Sequence, residues 1–178
     1  MPQPIRQLPQ SVLALSRFVR LGAGVPALLV HPHLDRATGR AARPAPVLVW
    51  MRGRTVTKEL DPGRYLRLAR AGIASCALDL PGHGERFDEA LQDPARTLEA
   101  VERMAGELDG VVADLDRSGD EEGCRRAVGG MSAGGMAAMV RLCAPHAFDA
   151  ALVECSTGSW RWQRSRAMCD PVRVAAMD

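Results

Sequence analysis

The sequence predicts an α/β domain built on a mainly parallel sheet, and three observations predict it. Short, continuous apolar runs at residues 47–51, 73–80, 125–131 and 150–155 have the length of strands buried on both faces. Helical patterns alternate with them, as a parallel sheet with crossover helices requires. Two earlier runs, residues 16–21 and 25–31, are joined only by Gly22-Ala23-Gly24, the mark of an antiparallel hairpin. The 178 residues fit one domain, and an apolar share of 47% suffices for a core.

Taken in order, residues 1–10 are rich in proline and glutamine and are expected to form a poorly ordered arm. The Gly22-Ala23-Gly24 turn lacks the following helix and third glycine of a dinucleotide loop. Residues 35–46 read as a polar connection. Asp61-Pro62 supplies an N-cap and a first-turn proline for a helix that ends at Gly72. Pro81-Gly82-His83-Gly84 is a sharp turn after the fourth strand, with Asp79 placed to hold it by hydrogen bonds. Thr97 is the expected cap of a long amphipathic helix whose stripe runs through Leu98, Val101, Met104, Leu108 and Leu115. Ser118-Gly119-Asp120 ends it.

The segment that organises the chain is Val128-Gly129-Gly130-Met131-Ser132-Ala133-Gly134-Gly135. It contains G-x-S-x-G as Gly130, Ser132 and Gly134, between an apolar strand pattern and an alanine- and methionine-rich helix pattern. In that context the spacing makes a tight turn that lifts the serine oxygen off the backbone. Glycines on either side let the turn close without side-chain clashes. The Ala133 amide opens the helix and offers a donor, with the positive end of the dipole, to an oxyanion at Ser132.

With residues 46–55 (PVLVWMRGRT) and 73–86 (IASCALDLPGHGER), this segment resembles the α/β-hydrolase superfamily, in its esterase and serine-peptidase-like branches. The resemblance covers about residues 18–160. It implies a strand order of 1-2-4-3-5-6, Ser132 as nucleophile, and an oxyanion hole made by the amides of Ala133 and Arg54. Gly53 shapes that second loop, where the family usually has His-Gly and this chain has Arg52-Gly53. A guanidinium there, from Arg52 or Arg54, suits a substrate carboxylate, or else simply faces solvent. Trp160 and Trp162 fall where the family inserts a lid and are candidates to line an acyl pocket or to pack on the core.

The resemblance also implies a catalytic histidine after the last strand and an acid before it. The expectation is therefore a single incomplete domain over residues 1–178, lacking its last two strands, with residues 156–178 beginning a lid or connector. The base and acid then lie beyond residue 178, and this chain alone is inactive or weakly active. Within the chain, His83 is the surrogate base to weigh against a packed turn histidine, and Glu154 the candidate acid to weigh against a loop-capping carboxylate. The strand at 150–155 becomes an exposed apolar edge, open to self-association.

Net charge is +2 with basic residues dispersed, which gives no electrostatic case for nucleic acid or a membrane surface. Lys58 is the one lysine in an arginine-rich chain and reads as compositional habit. Five cysteines without CxxC spacing read as reduced, mostly buried thiols of a cytoplasmic protein, with no metal or cofactor expected. Three functions compete. The first is a serine hydrolase acting on a small-molecule ester through an acyl-Ser132 intermediate. The second is a non-catalytic module of the same fold that pairs through its sixth strand. The third is a metal-dependent hydrolase using His31-Pro32-His33-Leu34-Asp35.

Overall fold

The computed structural model describes residues 8–121, 123–159 and 172. Its centre is a six-stranded sheet of β1 (Ser16–Leu21), β2 (Val25–Val30), β3 (Val47–Met51), β4 (Ala74–Leu78), β5 (Arg126–Met131) and β6 (Ala150–Glu154), in the order β1-β2-β4-β3-β5-β6. β2 pairs antiparallel with β1 and β4, while β3, β4, β5 and β6 run parallel. The hairpin turns where Gly22 and Gly24 hold φ values of 56° and 94°, which glycine adopts without strain.

Alternation along β3 divides the core. Val47, Val49 and Met51 face α3 (Thr97–Ser118) and α4 (Ala133–Leu142), packing with Met104, Leu108, Val111 and Met136. Leu48 and Trp50 face the other side, against Tyr65 and Ala69 of α2 (Pro62–Arg70) and Val12 of α1 (Gln10–Leu13). Asp61 caps α2 by accepting from Arg64 N–H at 3.2 Å, as its sequence predicts.

Several expectations need correction. The arm does not extend through residue 10: Leu8 is buried and Gln10 opens α1, while residues 1–7 lie outside the described residues. The connection at 35–46 contains a short ribbon, Leu34–Asp35 against Arg40–Ala41. Thr97 is the first residue of α3 and caps nothing, its hydroxyl donating to Pro94 O at 2.7 Å. Three 3₁₀ turns between Gly84 and Arg96 carry the chain into α3 instead. Of the described cysteines only Cys76 is buried, and Cys143 and Cys155 are exposed. β6 is the sheet's edge, with Leu152 42% and Val153 37% exposed. No helix of the described residues is long and apolar enough to cross a membrane.

Candidate active site

β5 runs into α4 with Ser132 alone between them. Ser132 holds φ 53° and ψ −121°, a strained conformation for a residue with a side chain. Its surroundings hold it there. Ser132 N–H donates to Glu154 O at 3.0 Å, and Ser132 O accepts from Met136 N–H and from Ser156 Oγ, both at 2.9 Å. The flanking glycines are required for space. A Cβ on Gly130 would overlap the Gly134 and Met51 carbonyls, and one on Gly134 would overlap the Met51 and Arg52 carbonyl oxygens.

The loop after β3 presses directly on this serine. A Cβ on Gly53 would lie 3.2 Å from Ser132 Cβ and 3.7 Å from Ser132 Oγ. Ser132, Ala133, Arg52, Gly53 and Arg54 share one cavity of about 490 Å³, also lined by Gln92, Pro94 and Thr97. Ala133 is the first residue of α4, so its N–H has no acceptor within the helix. Thr55, at φ 63°, also lines the cavity.

Both arginines in this loop lie inward. Arg52 Nη1 meets Asp61 Oδ2 at 3.1 Å, with 12% of the side chain exposed. Arg54 Nη1 donates to Thr97 Oγ1 at 2.9 Å and Nη2 to Gln92 O. Burial pulls the Arg54 guanidinium below its ordinary pKa, as expected of a cation taken from water. Arg52 is thus held inward, while Arg54 is partly buried and bonded rather than free in solvent.

Among the described residues, none is placed as a base for Ser132. His83 is buried, its Nδ1–H donates to Pro81 O at 2.9 Å, and burial lowers its pKa and keeps it neutral. Among the described residues its buried Nε2 has no partner, so it makes no hydrogen bond to Ser132 and matches a packed turn histidine rather than a surrogate base. Glu154 is not an acid waiting for a histidine. Its carboxylate is gripped by Arg64 through two bonds of 2.9 and 2.8 Å, and Arg64 also bridges to Asp61 and lies 4.2 Å from the Trp50 ring centre. His31 and His33 lie past the C-terminal end of antiparallel β2, and His146 lies past α4, all at the end of the sheet opposite Ser132. The metal reading of residues 31–35 fails on donors: His31 Nδ1 accepts from His33 N–H, its Nε2 meets Asp120 O, and Asp35 is spent on Ala37 and Thr38. Trp160 and Trp162 lie outside the described residues.

Two contributors escape sequence reading. Ser156 was unremarkable as a sequence position, yet its Oγ donates to Ser132 O at the turn between β5 and α4. Lys58 is fully buried, its Nζ held by Asp79, Glu85 and Glu59 at 2.8, 2.6 and 3.0 Å, which ties the loop after β3 to the end of β4. These bonds outweigh desolvation and raise its pKa well above the ordinary lysine value. Asp79 also accepts from Lys58 and Glu85 N–H, holding the Pro81 turn as expected. The one usable signal was that a single lysine survives in a chain that otherwise uses arginine.

No family model and no curated protein matches the sequence. Solved structures do. TT1662 from Thermus thermophilus superposes with a TM-score of 0.68 at 21% identity, covering 91% of this chain and 66% of its own. A puromycin-hydrolyzing peptidase of Mycobacterium tuberculosis matches with a TM-score of 0.67 at 19% identity over 89% of this chain and 25% of its own. The Pyrococcus furiosus esterase Pf2001 matches with a TM-score of 0.62 at 15% identity over 87% and 58%. The chain thus spans about two thirds of the first and a quarter of the second. Strand order, antiparallel hairpin, serine elbow and these likenesses together give the chain the α/β-hydrolase fold.

Proposed function

We propose that this chain carries the nucleophile and oxyanion hole of a serine hydrolase acting on ester bonds. One observation carries the reading: Ser132 stands in a strained elbow at the head of α4, pressed against the loop of Gly53 and Arg54. Such strain costs of order 1–3 kcal/mol and persists where function uses it. An interaction module without chemistry leaves that strain unexplained. Similar folds that are an esterase and a peptidase add support.

Ser132 Oγ attacks the ester carbonyl, and its proton passes to a base as the bond forms. Negative charge collects on the carbonyl oxygen, facing the amides of Ala133 and Arg54. Each such donor contributes on the order of 3 kcal/mol to the transition state. The alcohol then leaves and water releases the acyl group from Ser132. None of the four histidines is positioned as the base, so the base comes from another segment or chain.

The test supplies that base. Hydrolysis of p-nitrophenyl pentanoate is followed with imidazole added to the buffer, in wild type and Ser132→Ala. Imidazole-stimulated turnover that disappears in the variant is expected. Equal rates in the two proteins, above the protein-free rate, would refute the assignment.

A further inference from the structure

We infer that the cavity beside Ser132 is an anion-recognising subsite, and that the preferred substrate carries a carboxylate a few carbons from its reacting carbonyl. The inference rests on the serine-hydrolase reading for its chemistry, but not for its binding.

Among the described residues, both charged side chains that line the cavity are arginines and no carboxylate lines it. Arg54 has no carboxylate partner among the described residues. Its two bonds go to neutral oxygens, Thr97 Oγ1 and Gln92 O, and its Nε is buried without an acceptor. A guanidinium has five N–H donors, so most of its capacity is unused. Asp93, the nearest acid to act on it, is turned to Ala95 N–H. Among the described residues Arg52 has one ion-pair partner, Asp61, and its buried Nε has no acceptor. Two half-satisfied guanidinium groups on one cavity are costly unless an anion completes them.

The backbone adds to the field. α4 begins on the cavity at Ala133, so its positive end adds to the charge there, while the Thr97 N–H at the start of α3 is already bonded to Pro94 O. A carboxylate matches a guanidinium in shape and charge better than any neutral group, and a cavity of about 490 Å³ has room for a short dicarboxylic half-ester.

The test has a binding arm and a kinetic arm. Calorimetry compares glutarate with neutral glutaramide on the full chain. Glutarate is expected to bind at least tenfold more tightly, to weaken with added salt, to lose at least tenfold in Arg54→Met, and to bind Ser132→Ala as it binds wild type. With imidazole present, mono-p-nitrophenyl glutarate is expected to exceed p-nitrophenyl pentanoate at least tenfold in kcat/KM. Equal affinity for glutarate and glutaramide, including no binding of either, overturns the proposal. So does glutarate binding unchanged in both Arg54→Met and Arg52→Met. If Arg54→Met does not fold, the wild-type comparison of the two ligands decides alone. Glutarate binding without Ser132-dependent turnover removes the hydrolase reading and leaves the anion site. Ser132-dependent turnover with pentanoate preferred removes the anion site and leaves the hydrolase.

Discussion

Replacing Glu121 by glutamine should stabilise the protein above neutral pH and not below pH 4.5. Glu121 is fully buried at the end of the sheet opposite Ser132, beside Asp120. Loss of water, and then the neighbouring Asp120 charge, push its pKa from 4.5 up to about 7. Its Oε1 has no partner among the described residues, and Ser118 Oγ donates to Oε2 at 3.2 Å. The folded state therefore holds a proton that the unfolded chain releases between pH 4.5 and 7. A carboxyl whose pKa rises on folding contributes fully below its unfolded pKa, and that contribution is lost as pH climbs through the folded value. A shift of this size, at 1.36 kcal/mol per unit, makes the ionised side chain cost about 3 kcal/mol above pH 8. Glutamine keeps the shape and the acceptor for Ser118 but carries no charge. Urea unfolding by circular dichroism at half-unit steps from pH 5 to 8 measures the difference. Groups shared by both proteins cancel, and the advantage of Glu121→Gln should grow by up to about 3 kcal/mol across the window. A difference that stays flat with pH would refute the reasoning, whatever its sign.

Ser156→Ala removes the side-chain bond to Ser132 O, worth about 1 kcal/mol. If that bond aims the nucleophile, phosphonylation of Ser132 slows about fivefold, and Ser156→Thr restores it while Ser156→Val does not. Lys58→Met leaves Asp79 and Glu59 buried without their cation, and should cost about 3–5 kcal/mol in urea unfolding. Adding Asp79→Asn should recover part of that loss, and a cost under about 1 kcal/mol would show that the cage is not structural.

The sheet was legible because each strand is written locally. Val47–Met51 is buried at every position and reads as an unbroken apolar run, and Asp61-Pro62 announces α2 within its own first turn. The elbow was legible for the same reason. Glycine at 130 and 134 answers a steric demand of backbone only a few residues away and of the adjoining β3 end. The rest depended on partners far along the chain. Glu154 looked like a candidate acid until Arg64, 90 residues earlier, took both its oxygens. Lys58 looked incidental because Asp79 and Glu85 stand 21 and 27 residues away. Thr97 looked like a cap because its residue type suits one, whereas the 3₁₀ turns before it deliver the chain already wound.

Everything proposed for the site rests on Ser132 Oγ as a reactive nucleophile facing two backbone amides. The most direct test of this is mass spectrometry of the full chain after treatment with a fluorophosphonate, with the adduct located by peptide fragmentation. One phosphonyl group on Ser132, lost in Ser132→Ala, is the predicted result. A folded protein that stays unmodified with imidazole present, or that carries the adduct on another residue, would contradict it.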